Sequence, residues 1–267
     1  YDIAELSFNG PALELNKTYR TQPCLFTVSM AAYLVLKKSG IEPSIVAGHS
    51  LGEYSALAAA GSLSFSDALR LVEKRGEFMQ EAVPEGKGLM AAILGLDREV
   101  LESVCKKASD YVAPANYNCP GQIVVAGYKD AVEEVMKLSL SSGAKKAVPL
   151  SVSAPSHCKL MEGAGRALER VLEKIDVNAP VIDVVNNADA KVIRTSEEVK
   201  DSLIRQLSTC VLWEDSIKLM LGHGIDTFIE VGPGKVLSGL IKRIDGSVSI
   251  FNAGDKAGLE NTLKNWR

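Results

Sequence analysis

An apolar run, Ile45-Val46-Ala47, leads through Gly48-His49-Ser50-Leu51-Gly52 into the alanine-rich segment Leu51 to Ala60. No other stretch restricts the fold as tightly. G-x-S-x-G between a strand and a helix marks a sharp turn that lifts the serine hydroxyl above the edge of a sheet. The flanking glycines allow that tight backbone. The next N–H, from Leu51, then opens a helix N-terminus and can stabilise an oxyanion. A helix N-cap serine between small residues would share the motif, but strand and helix together favour a nucleophile.

Around this turn, helix-period patterns alternate with short β-branched runs. Strands are expected at 44–47, 181–185, 227–231 and 248–251, and helices near 21–39, 51–60, 66–82, 157–174, 195–206, 213–222, 234–243 and 256–265. Buried strands alternating with helices predict an α/β domain with a mostly parallel sheet and helices on both faces. Residues 88–151 read differently. Strands at 89–94, 111–116, 122–126 and 147–152, with helices at 97–108 (capped by Asp97) and 130–141, give the order β-α-β-β-α-β of a ferredoxin-like unit. Pro84, Gly86 and Gly88 supply a hinge into it. The expected organisation is a large α/β domain over 1–85 and 153–267, an inserted ferredoxin-like α+β subdomain over 86–152, and a cleft between them.

Composition removes several function classes. The 267 residues are 46% hydrophobic and 24% charged with net charge −3, which argues against a nucleic-acid surface. No apolar run reaches membrane-spanning length, and no signal peptide is visible. Five scattered cysteines without C-x-x-C or Cys/His spacing predict neither disulfides nor a metal site, and point to a reducing cytoplasm. The chain opens at Tyr1 without methionine, as the interior of a domain would, so a segment upstream is expected.

A serine nucleophile needs a base. Of three histidines, His49 adjoins the serine and should project away from its hydroxyl, and His223 sits in a turn. His157 follows a strand and is expected to open helix 157–174, which puts it at the strand edge where an elbow serine lies. A histidine capping a helix start is the plainer alternative. No aspartate or glutamate stands out as a third member. On helix 66–82 the apolar face runs Ala68, Leu71/Val72, Arg75, Phe78/Met79 and Ala82, so Arg75 falls where burial is expected. A buried guanidinium is either one half of an internal ion pair or a fork for a ligand carboxylate. The second option, beside a nucleophilic serine, suggests an acyl donor with a free acid at its far end.

AGHSLGEYSALAAAG (47–61), VEKRGEFMQEAV (72–83), ANYNCPGQIVVAG (115–127), SAPSHCKLMEGA (153–164) and IEVGPGKVLSGLIKRI (229–244) resemble, in order and across the whole chain, the malonyl-CoA:acyl carrier protein transacylases of dissociated bacterial fatty-acid synthesis. The resemblance implies a hydrolase-like α/β domain with the ferredoxin-like insertion. It implies Ser50 as nucleophile, His157 as base, Arg75 as clamp for the malonyl carboxylate and the Leu51 N–H as an oxyanion donor. The family orients its histidine with a glutamine main-chain carbonyl, and Gln206 is the matching position. Asn116, Asn118 and Gln122 match a segment lining the pantetheine approach. No dedicated cofactor is implied; phosphopantetheine arrives on the substrates, CoA and acyl carrier protein. The family also begins with a strand and a Gly-Gln-Gly-Ser-Gln loop supplying a second oxyanion donor. The sequence begins downstream of where that segment belongs, so the loop is expected upstream of Tyr1.

The expected reaction is ping-pong malonyl transfer through a malonyl-serine ester. A serine esterase, thioesterase or patatin-like lipid hydrolase would share the elbow without needing Arg75, and an inactive carrier-binding domain would need neither.

Overall fold

The structure is a computed structural model that describes residues 1–150 and 154–266. Three helices come first, α1 (Ile3–Asn9), α2 (Ala12–Leu15) and α3 (Thr18–Lys38), followed by β1 (Ile45–Ala47), α4 (Gly52–Ala59) and α5 (Phe65–Ala82). Next come β2 (Gly88–Leu94), α6 (Arg98–Cys105), β3 (Val112–Cys119), β4 (Gln122–Tyr128), α7 (Lys129–Ser141) and β5 (Lys146–Pro149). A 3-10 turn at Lys159–Met161 leads into α8 (Glu162–Leu172), β6 (Asp183–Val185), β7 (Val192–Ile193), α9 (Ser196–Gln206) and α10 (Trp213–Gly222). The chain ends with β8 (Thr227–Val231), α11 (Val236–Ile244), β9 (Ser249–Ala253) and α12 (Lys256–Asn265).

α5 shows how the sequence builds the large unit. Ser64 caps it by accepting from the Asp67 N–H, and Val83, which precedes Pro84, is extended and ends it. Ala68, Leu71, Val72 and Met79 are buried against a core that includes Phe26, Tyr54, Leu57, Leu168 and Leu203. Each large apolar side chain there contributes about 1.5–3 kcal/mol. This packing holds α5, and therefore Arg75, against α3, α4 and α8.

β1 pairs in parallel with β6, whose other edge carries β7 antiparallel; β8 pairs in parallel with β9. These parallel pairs fall in two separate sheets rather than one continuous sheet. A cavity of about 490 Å³ lies between their facing edges, lined by Ile45, Ala47, Trp213, Ile229 and Trp266 among others. The four-stranded sheet has order β3-β4-β2-β5 with every pair antiparallel, and Ile93, Leu101, Val104, Val125, Val132 and Val135 form its core with α6 and α7. This is the ferredoxin-like arrangement. It is tied back to the large unit where Tyr117 N–H donates to Val211 O (2.9 Å) and Val211 N–H to Ala115 O (2.9 Å).

Several local expectations change. α1 and α2 were not anticipated, nor was the short β7. Asp97 occupies the N-cap position of α6 but makes no capping bond. The strand expected over 147–152 is β5 as far as Pro149; residues 151–153 lie outside the described residues. His157 does not open a helix: it sits in a loop with φ 60°, ahead of the 3-10 turn. Among the described residues no helix is long and apolar enough to cross a membrane.

Candidate active site

Ser50 stands at the turn between β1 and α4 with φ 53°, a left-handed conformation that a side-chain-bearing residue adopts only under constraint. The constraint is visible. Asn187, just past β6, accepts the Ser50 N–H on Oδ1 (2.6 Å) and donates its Nδ2 to Gly48 O (2.7 Å). Gln206 Nε2 donates to Ser50 O (3.0 Å). The two motif glycines are not equivalent. A Cβ on Gly48 would lie 1.9 Å from the Gly52 carbonyl carbon, whereas a Cβ on Gly52 would meet nothing within 4 Å. Gly48→Ala therefore forces the turn apart and should cost several kcal/mol (about 4 or more), while Gly52→Ala should keep wild-type stability within about 1 kcal/mol. Thermal melts of the two variants check this contrast, and equal losses would contradict it.

His157 meets the serine: Ser50 Oγ lies 2.7 Å from His157 Nε2. The other ring nitrogen, Nδ1, is 2.8 Å from Gln206 O, and the His157 main-chain N–H donates to Leu207 O (3.0 Å). Both carbonyls end α9 and have no onward helical partner, which is why they are free to accept. A carbonyl cannot donate, so Nδ1 carries the proton and Nε2 presents its lone pair to the serine hydroxyl. The negative end of the α9 dipole also favours an imidazolium once one forms, by up to about 2 kcal/mol. In the resting site the ring is neutral. Burial, then the Arg75 charge and His49, lower its pKa to about 3, against the raising effect of Gln206.

Arg75 is 1% exposed. Its Nη1 donates to Gln22 Oε1 (2.8 Å), and its Nη2 to Gln206 Oε1 (3.0 Å) and Ser50 Oγ (3.0 Å). All three acceptors are neutral; among the described residues no carboxylate pairs with it directly, so the internal ion pair does not form. The Nε–H is buried with no partner. Nε and Nη2 share one edge of the guanidinium, so a fork that touches the serine oxygen retains an unfilled donor. The nearest acid is Glu53, fully buried on the first turn of α4 and joined to Arg75 through the Gln206 side chain.

Leu51 N–H, beside Ser50, has no acceptor among the described residues, whereas the Ser50 N–H is taken by Asn187. His49 turns away from the hydroxyl to meet Asn118 Oδ1 (2.9 Å) and the edge of Trp213. Asn118 and Gln122 line a groove of about 300 Å³ with His49, Leu51 and Gly52, and Gln122 Oε1 also accepts from Arg243. Asn116 is not among the groove's lining residues; it lies in β3 bridged to Val211. His223 is exposed at the end of α10.

Three members of the site had not been anticipated: Gln22, Glu53 and Asn187. Glu53 carried a signal, as an acid three residues past the serine in an otherwise apolar helix. Asn187 follows a buried strand at its C-terminal edge, where α/β sheets place ligand groups. Gln22 had none beyond its place in a helix.

The acyl transferase domain family matches residues 1–249. The malonyl CoA-acyl carrier protein transacylase of Escherichia coli K12 is 52% identical over 247 residues, 91% of this chain and 80% of that protein. The Bacillus subtilis protein of the same name is 47% identical over 265 residues, 98% and 84% of the two chains. Among solved structures, an acyl carrier protein S-malonyltransferase from Vibrio cholerae superposes with TM-score 0.96 at 46% identity, covering 98% of this chain and 87% of that one. A malonyl-transacylase in complex with its type II PKS acyl-carrier protein gives TM-score 0.97 at 46% identity, with 99% and 87% covered. By this match of sequence and fold along nearly its full length, the chain belongs to the malonyl CoA-acyl carrier protein transacylases of the acyl transferase family.

Proposed function

We propose that this protein transfers a malonyl group from malonyl-CoA to the phosphopantetheine thiol of an acyl carrier protein, through an ester on Ser50, to supply fatty-acid chain elongation. The observation that carries the reading is Arg75: a buried cation without an anionic partner, in contact with the attacking oxygen. Malonyl places its carboxylate two carbons beyond the attacked thioester carbonyl, within reach of a guanidinium that already touches Ser50 Oγ.

In the first half-reaction His157 Nε2 takes the hydroxyl proton as Oγ bonds to the thioester carbon. The Leu51 N–H donates to the resulting oxyanion at the α4 N-terminus. The C–S bond then breaks, His157 returns the proton to the CoA sulfur, and CoA leaves. Arg75 holds the carboxylate of the malonyl-serine ester. In the second half-reaction the carrier thiol gives its proton to His157 and its sulfur attacks the ester carbon. The serine oxygen leaves with that proton. Asn118 and Gln122 border the approach for the pantetheine arm. The family membership supports both substrates, and the relative seen bound to an acyl-carrier protein supports the acceptor. Five unpaired cysteines support a reducing compartment, the cytoplasm.

The test follows the fate of the acyl group. With malonyl-CoA and holo acyl carrier protein, malonyl-carrier should form much faster than free malonate. Hydrolysis outrunning transfer would replace this reading with a thioesterase.

A further inference from the structure

We propose that Glu53 is a positioning residue for acyl-donor selection, its carboxylate anchoring the Gln206 amide that holds one prong of Arg75. The inference rests on the reading of Arg75 as the carboxylate-binding group. Glu53 accepts from three sides: the Asn187 N–H (2.9 Å), the Ser202 hydroxyl (2.8 Å) and Gln206 Nε2 (2.9 Å). A carboxylate, which only accepts, takes all three at once. Gln206 Nε2 has its two hydrogens on Glu53 and on Ser50 O, which leaves Oε1 as the atom facing Arg75 Nη2.

The carboxylate and the Ser50 carbonyl together hold both amide hydrogens, so an oxygen meets the guanidinium, and the carboxylate is the charged and stronger of the two anchors. Gln22 is held separately, by donation from its Nε2 to Thr18 Oγ1 (2.9 Å), so Glu53 governs one side of the fork and not the other. Burial raises the Glu53 pKa, and its hydrogen bonds from Gln206, Ser202 and Asn187, with the charge of Arg75, pull it back. The other buried glutamate, Glu214, pairs directly with Arg98 and Lys218, whereas Glu53 touches no cation and reaches Arg75 only across Gln206. A buried carboxylate without a direct counter-charge is costly unless something uses it.

Glu53→Gln keeps the shape and removes the charge. Its single oxygen can still accept from Asn187 and Gln206, but the Gln206 amide loses its charge-assisted anchor and with it the firm hold on one prong of Arg75. The second arm of Glu53, through Asn187 to the Ser50 N–H, affects charged and uncharged donors alike. Selectivity isolates the first arm. The experiment measures kcat/KM for Ser50 acylation by malonyl-CoA and by acetyl-CoA in the whole chain, wild type and E53Q. The malonyl-to-acetyl ratio should fall by about tenfold, the scale of one misaligned charge-assisted hydrogen bond. A folded E53Q with an unchanged ratio, including one in which both rates fall together, overturns the proposal. Should E53Q not fold, Glu53→Asp keeps the charge but withdraws the carboxylate from Gln206 by one methylene. Its ratio should fall by about threefold, and a constant ratio overturns the proposal there. A wild type that never acquires malonyl on Ser50 refutes the function itself, while one that does, alongside an unaltered E53Q ratio, refutes only the role of Glu53.

Discussion

Arg75→Ala will lower kcat/KM for malonyl-CoA by roughly 10²–10⁴-fold and acylation by acetyl-CoA far less. Removing one member of a buried charged pair costs about 3–5 kcal/mol, and each 1.36 kcal/mol is a factor of ten in rate. The cost arises because the malonyl carboxylate would enter a site that excludes water and find no cation. Acetyl has no carboxylate to leave unpaired, so it loses only the Nη2 donation to Ser50 Oγ. Arg75→Lys should recover part of the malonyl rate, since an ammonium restores charge but not the two-pronged edge. The check is acyl-enzyme formation from each donor under single-turnover conditions. Parallel losses for the two donors would remove Arg75 from substrate recognition.

The second large effect concerns the base. His157→Ala should slow acylation by about 10²–10⁴-fold, the range of a positioned general base. Its pH profile carries more information. A His157 pKa lowered to about 3 keeps the ring neutral well below the usual imidazole range. Wild-type kcat/KM should therefore stay level from neutral pH down to about 5, where an ordinary histidine would already be mostly protonated. A fall centred near 6.5 would contradict the buried, Arg75-repelled ring. Because the Arg75 charge is part of that lowering, the acidic limb for acetyl-CoA should move upward in Arg75→Ala. The same shift acts on stability. Between about 6.5 and about 3 the unfolded chain binds a proton at this histidine that the folded chain does not. This contribution is thus present above the unfolded value and is lost as pH drops through that window.

The parts of this site that were legible in the sequence are those with a local signature. Ser50 could be read because a strand, a glycine and a helix meet within a few residues, and Arg75 because a charge interrupts a 3.6-residue apolar stripe. His157 was found by its strand edge, although its helix starts later than expected and the residue itself lies in a strained loop. What holds these groups was not legible. Glu53 and Asn187 meet across 134 residues, and Glu53 and Gln206 across 153. Such pairings leave no periodic trace. The acceptor for His157 is a main-chain oxygen, a group every residue carries, so only the place where α9 ends makes it available. For the same reason no third acidic member stands out in the sequence: a helix terminus occupies that place. At fold level the alternation of strands and helices was readable. The separation of β1-β6-β7 from β8-β9 was not, because strand order depends on which edges meet and not on the pattern within a strand.

The most direct test mixes the protein with malonyl-CoA in the absence of carrier protein, then combines intact-mass measurement with peptide mapping. The mechanism predicts a single added malonyl group on the peptide carrying Ser50, discharged when holo acyl carrier protein is supplied and absent in Ser50→Ala. A protein that remains unmodified, or that carries malonyl on a residue other than Ser50, would contradict it.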